Sequence, residues 1–113
     1  MIDAILMAAI LDSLKDPILF ADTQHIVRYM NKAAVAHYSE GDLDAQALIG
    51  ASLFDCHNAQ SGAMMVEILA AMHKGETERL ITDTPEHRVY MRVVRDPEGR
   101  VLGYYERYAP PGA

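Results

Sequence analysis

The 113-residue chain has a single cysteine and no cluster of more than two basic residues. One cysteine cannot form an internal disulfide, and without a Cys-x-x-Cys pair the usual cysteine-based zinc site is excluded. Lys and Arg together number 10 against 16 Asp and Glu, for a net charge of -6. Nucleic-acid binding requires concentrated basic residues that displace counterions, so we expect no nucleic-acid partner.

Long hydrophobic runs are also missing. The most apolar stretch is the first eleven residues, which are apolar except for Asp3. This stretch is shorter than the roughly 20 residues that span a bilayer, and it lacks the basic leading region of a signal peptide. We therefore expect a cytoplasmic protein with no membrane span. Hydrophobic residues at 50% and charged residues at 23% are typical of one small globular domain.

Residues 2–14 predict an N-terminal amphipathic helix with an unusually wide apolar surface. Apolar side chains recur at helical spacing, and Met7, Ala8 and Leu11 extend the stripe nearly all the way round. Such a helix has too little polar surface to lie on a monomer. We expect residues 1–15 to form a dimerisation helix with its interface at Ile2, Leu6, Ala9 and Ile10. The alternative is that the helix folds back over its own sheet.

The rest of the chain alternates short strands and helices. Asp16-Pro17 ends the first helix, because the residue before proline avoids the helical region. Apolar runs separated by turn residues predict strands at 18–21, 26–30, 79–82, 89–94 and 101–108. Helices are predicted at residues 32–38 behind the cap Asn31, briefly at 43–49 before Gly50, and at 61–74 before Gly75. Residues 109–113 are expected to form a tail or linker.

The order of these elements, together with short motifs within them, resembles that of PAS domains. Residues 17–22 (Pro-Ile-Leu-Phe-Ala-Asp) are similar to the first PAS strand, and residues 31–34 to the asparagine that opens the next helix. Residues 48–50 and 96–103 resemble the glycine before the long helix and the last hairpin. The resemblance implies an α+β fold over residues 16–108. This fold is a PAS-like five-stranded antiparallel sheet with helices on one face, a pocket between them and a dimerising N-terminal helix.

A narrower resemblance lies before the long helix. Cys56-His57-Asn58 is similar to a Cys-His-Asn segment of a subgroup of bacterial PAS domains, although Ala59 stands where that subgroup usually has proline. PAS domains commonly sense haem, flavin, small metabolites or nothing. The neighbours of Cys56 do not resemble the flavin light-sensing motif, which places its cysteine inside a helix.

A small apolar or amphipathic ligand is the better binding hypothesis. Methionine adapts to irregular shapes, which suits a cavity and equally suits plain core packing. We predict a ligand site between the long helix and the sheet, formed by Cys56, His57, Asn58, Met64, Ile68, Met72, Tyr90 and Met91.

Haem is a possible cofactor, with His57 as axial ligand and His37 and His73 as weaker candidates. Adjacent residues on a helix diverge by about 100 degrees, so Cys56 and His57 are not expected to chelate one metal ion together. The alternative is that Cys56 is a small buried hydrophobe and that His57 hydrogen-bonds the backbone.

Catalysis has little support in the sequence. Ser61 or Cys56 could serve as a nucleophile with His57 as base, but neighbouring residues rarely reach that geometry and no third orienting group is evident. We therefore expect no catalytic residues and interpret the chain as a non-enzymatic sensory or signalling module. It would form a homodimer, bind a small ligand and act on a downstream signalling domain or protein. The alternatives are a ligand-free dimerisation scaffold and a haem-based redox or gas sensor.

Overall fold

The computed structural model describes residues 3–39, 44–56 and 58–111. Three helices, α1 (Ala4–Asp12), α2 (Lys32–Tyr38) and α3 (Ala59–His73), accompany two short 3-10 helices at Ala45–Leu48 and Leu53–Cys56. Five strands form one antiparallel sheet in the order β2-β1-β5-β4-β3. The strands are β1 (Leu19–Asp22), β2 (Val27–Met30), β3 (Glu78–Asp83), β4 (Arg88–Arg95) and β5 (Val101–Ala109). The predicted α+β fold is confirmed.

The central strand β5 pairs with β1 on one side and β4 on the other. Side chains alternate between the two faces of a strand, so Tyr104, Glu106 and Tyr108 share the face that packs under the helices. Their partners on β4 are Val93, Met91 and Val89 respectively. Gly103 lets β1 approach closely, because a Cβ atom there would lie 2.0 Å from the backbone oxygen of Ala21.

Helix α3 covers the core face of the sheet. It begins at Ala59, two residues before the predicted start, because the side chain of Asn58 caps it by accepting a hydrogen bond from the Ser61 amide. Its buried face consists of Gly62, Met65, Ile68, Leu69 and Met72. The brief helix predicted at residues 43–49 appears as the 3-10 helix Ala45–Leu48, and residue 43 lies outside the described residues. The sequence did not predict the Leu53–Cys56 turn.

The fully buried side chain of Asn31 connects four segments of the chain through hydrogen bonds. Its side-chain oxygen accepts hydrogen bonds from the amides of Ile18 and Ala34, both at 2.9 Å. Its side-chain nitrogen donates to the carbonyl oxygens of Leu11 and Asp16, both at 3.0 Å. One side chain therefore joins the end of α1, the entry to β1, the end of β2 and the start of α2.

Helix α1 lies at the edge of the domain and contains no buried residue. Besides the bond from Asn31, the Tyr29 hydroxyl donates to the Asp12 carboxylate at 2.9 Å and approaches the Ala8 carbonyl at 3.3 Å. Burial and the contact with Asp12 raise the pKa of Tyr29 to about 12, so the hydroxyl remains a donor. Within the described residues, no helix combines the length and the apolar character needed to cross a bilayer.

We predict that Asn31→Asp destabilises the domain by about 2 kcal/mol or more. The substitution keeps both acceptor contacts but replaces the donating amide with an oxygen that faces the Leu11 and Asp16 carbonyls. Urea unfolding followed by circular dichroism measures the free-energy change.

Asn58→Asp is the matched control for this prediction. Asn58 also caps a helix, but it is exposed and caps through its side-chain oxygen, which accepts from the Ser61 amide. Aspartate caps as well as asparagine, so the control should change stability by no more than about 0.5 kcal/mol. Equal effects of the two substitutions would contradict the role assigned to the Asn31 amide.

Candidate ligand-binding cavity

A cavity of about 390 Å³ lies between the helices and the β3-β4-β5 half of the sheet. This volume is at the lower end of the range typical of small-molecule pockets. Its lining is formed by Leu19, Tyr38, Leu48, Leu53, Ser61, Met64, Met65, Ile81, Thr82, His87, Val89, Met91, Glu106 and Tyr108. Residues of the helical layer and of four strands therefore line one partly open space.

Apolar side chains form most of the cavity surface. Met64 and Met65 enter from the first turns of α3, and Val89 and Met91 enter from the core face of β4. Leu19 adds a contribution from β1. Unbranched methionine side chains can adjust to ligands of different shape.

Polar groups lie together in the lining around Glu106, the cross-strand partner of Met91. The Tyr38 hydroxyl donates to Glu106 Oε2 at 2.7 Å and also hydrogen-bonds the Tyr108 hydroxyl. Burial, followed by the negative charge of Glu106, raises the pKa of Tyr38 far above its usual value. Burial raises the pKa of Tyr108 to about 12. Both hydroxyls therefore stay protonated at neutral pH beside a carboxylate.

Two histidines border this polar group. The His87 ring lies 5.5 Å from the Tyr108 ring, and the His37 ring lies 5.0 Å from it on the side of α2. His87 lines the cavity, and its backbone is fixed by hydrogen bonds with Thr84. The polar group thus combines a carboxylate, two phenols and one imidazole.

The structure brings some of the predicted site residues together. Met64 and Met91 line the cavity, whereas Ile68 and Met72 are fully buried in the core and are not part of the lining. Tyr90 lies on the other face of β4, where the Arg107 guanidinium is 4.4 Å from the centre of the Tyr90 ring. Consecutive residues on a strand face opposite ways, so Tyr90 and Met91 cannot both enter the cavity.

The Cys-His-Asn segment lies near the start of α3. Cys56 ends the 3-10 helix, Asn58 is the exposed cap, and His57 lies outside the described residues. The weaker haem candidates are both exposed: His73 in the last turn of α3, and His37 on α2. In the described part of the chain, no three His, Cys, Asp or Glu residues cluster in a way that could hold a metal ion.

Sequence reasoning did not identify the polar residues of the cavity. Tyr38, Glu106 and Tyr108 come from elements about 70 residues apart, as the Tyr38–Tyr108 separation of 70 positions shows. The alternation of Tyr104, Glu106 and Tyr108 along one strand face was the available signal. A glutamate in such a row is ordinarily assigned to solvent, and only the central position of β5 places it under the helices.

The buried His25 contacts the cavity residue Leu53 and the core residue Tyr104. His25 Nδ1 lies 2.7 Å from the Tyr104 hydroxyl, and the His25 ring centre lies 4.7 Å from that of Phe54. The His25 carbonyl accepts a hydrogen bond from the amide of Leu53, a cavity residue. Burial lowers the pKa of His25 and raises that of Tyr104, which favours a hydrogen bond between a neutral imidazole and a protonated phenol.

A family profile described as the PAS fold matches residues 11–111, and the chain belongs to this family. PAS domains are sensory modules that typically act in signal transduction and are typically non-catalytic. Among curated proteins, none matches the sequence significantly.

Solved structures share the fold at low sequence identity. A C-terminal domain from Streptococcus mutans has a TM-score of 0.76 at 18% identity, covering 96% of this chain and 85% of that one. A PAS domain from Colwellia psychrerythraea has a TM-score of 0.65 at 12% identity, covering 92% of each chain. The Aer2 receptor of Vibrio cholerae, described as a dual PAS-heme oxygen sensor, has a TM-score of 0.60 at 15% identity, covering 84% and 93%.

We predict that His25 makes stability decrease with acidification. Its folded pKa lies below the unfolded value of 6.5, so the unfolded chain binds the proton first as pH falls. The stabilisation is fully present above pH 6.5 and is lost as pH falls towards the folded pKa. Urea unfolding at about pH 7.5 and about pH 5.5 measures this loss.

His25→Asn provides the comparison, because asparagine tolerates the left-handed φ of 63° and does not titrate. We expect the wild type to lose more stability between the two pH values than His25→Asn does. An equal loss in both proteins would show that other groups cause the pH dependence.

Proposed function

We propose that this chain is a PAS-type sensory module that binds a small ligand in the cavity and transmits the signal through a homodimer. The 390 Å³ space between α3 and the sheet is the observation that supports this proposal most directly. The module is non-enzymatic and cytoplasmic, and it acts on a signalling domain or protein in cis or in trans. The ligand contacts include the predicted residues Met64 and Met91.

Signal transfer follows a short series of contacts. Leu19 lines the cavity, and the amide of its neighbour Ile18 donates to Asn31, which in turn holds the Leu11 carbonyl of α1. A ligand that changes the packing of Leu19 therefore acts on the anchor of α1. The ligand favours whichever arrangement of sheet and α1 it binds more tightly, and so shifts the population.

The second copy of this chain is the partner that we assign to α1. Leu6 is 49% exposed and Ile10 is 48% exposed, and Ala9 is exposed between them. Ile2, the fourth predicted interface residue, lies outside the described residues. Packing α1 against the same surface of another copy would remove these apolar side chains from water.

Two alternatives give different experimental outcomes. A ligand-free scaffold would dimerise with its cavity empty. A haem sensor, the function stated for the Aer2 receptor, would use His57 as axial ligand here and would show a strong visible absorption band that His57→Ala removes.

Native mass spectrometry of freshly purified protein tests the ligand proposal. We expect a mass above that of the bare chain, lost on denaturation, because a ligand held in the cavity leaves when the fold opens. The added mass identifies the class of molecule. A dimer without added mass would favour the ligand-free scaffold.

The double substitution Leu6→Lys and Ile10→Lys should convert the dimer to monomer in light scattering, because charges would have to be buried at the interface. Ala63→Lys with Ala70→Lys is the control, since both alanines are exposed on α3 and the added charge is the same. A persistent dimer in the α1 variant would contradict the assigned interface.

A further inference from the structure

Glu106 is a carboxylate inside the cavity without a cationic partner among the described residues. The ion pairs among the described residues involve Asp22, Glu76, Glu78, Asp83 and Asp96, each with an arginine. Glu106 instead receives a hydrogen bond from the neutral Tyr38 hydroxyl. A hydroxyl orients and solvates a carboxylate but does not cancel its charge.

The outer face of the same sheet shows the contrast. There, Glu78 on β3 is paired with both Arg92 and Arg107, at 3.2 and 2.9 Å. Arg107 is the immediate neighbour of Glu106, but alternation along β5 directs it to the opposite face. On the outer face, two arginines therefore neutralise Glu78. On the core face, no described cationic side chain forms an ion pair with Glu106.

The surroundings of Glu106 suit a cation more than any other group. Taking a carboxylate out of water is unfavourable unless it gains a charged donor, so a ligand that supplies one is favoured. The rings of Tyr38 and Tyr108 add aromatic faces, which attract ammonium groups. A ligand carboxylate or phosphate would meet the charge of Glu106 and be repelled.

The apolar part of the cavity indicates the chemistry of the rest of the ligand. Met64, Met65 and Met91 face the space beside Glu106 and offer surface for a hydrocarbon body. We propose that the cavity binds a small organic cation, with its protonated amine at Glu106 and its apolar body against these three methionines. This inference rests on the proposed ligand-binding function and specifies the chemistry of the ligand.

The test compares three probes that share one hydrocarbon body: hexylammonium, hexanol and hexanoate. Binding is followed by NMR of isotope-labelled methionine methyl groups at about pH 8, where the amine is charged and unperturbed imidazoles are neutral. We expect hexylammonium to shift the methyl signals of Met64, Met65 and Met91 and to bind about tenfold more tightly than hexanol. Hexanoate should bind more weakly than hexanol. Met72, which is buried in the core and does not line the cavity, is the internal reference.

Glu106→Gln has the shape of the native side chain without its charge. It should remove the preference for hexylammonium and leave hexanol binding within about twofold. Glu98→Gln, on an exposed turn, should leave all three affinities unchanged.

The outcomes separate this inference from the proposed function. Hexanol binding at the cavity methionines without a hexylammonium preference would overturn the ligand class and keep the cavity as a binding site. Unchanged preference in Glu106→Gln would also overturn it. Failure of all three probes to shift these methyl signals would count against the ligand-binding function itself, and the inference would fail with it.

Discussion

The position of β5 between β1 and β4 is the constraint on which the other features depend. Every second side chain of this strand is forced under the helical layer, including Glu106 and Tyr108. At one end Tyr104 is buried, and its hydroxyl meets His25. At the other end, the methionines of α3 and β4 leave a space beside the polar group. The cavity and its charge thus arise from strand order.

A second constraint connects this sheet to α1. Asn31 is completely buried, and both ends of its amide are used, so one side chain fixes the relative positions of the backbone segments that it contacts. Two of these segments adjoin the cavity and α1: Ile18 is next to the cavity residue Leu19, and Leu11 belongs to α1. The side chain that connects these segments is therefore the route by which we propose that a ligand acts on α1.

Much of the fold could be predicted from the sequence because the signals are local. Alternation in residues 89–94 and the Pro97 to Gly99 turn indicate the last hairpin, and Asn31 before an alanine-rich run indicates a helix cap. The cavity depends on distant contacts instead. Met64 and Met72 lie on one helical stripe, yet only Met64 reaches the cavity, and the alternation around Glu106 does not by itself indicate which face of β5 lies under the helices. Tyr90 is a further example, because adjacent residues on a strand face opposite sides of the sheet and Tyr90 therefore lies on the other face from Met91.

We propose that occupancy of the cavity alters α1. Hydrogen exchange followed by mass spectrometry, with and without hexanol as a neutral cavity probe, measures the effect of cavity occupancy on α1. We expect slower exchange in α3 and β4 together with a change in Ala4–Asp12, which contains the Leu11 carbonyl held by Asn31. Protection confined to the cavity lining, with exchange in α1 unaltered, would contradict it.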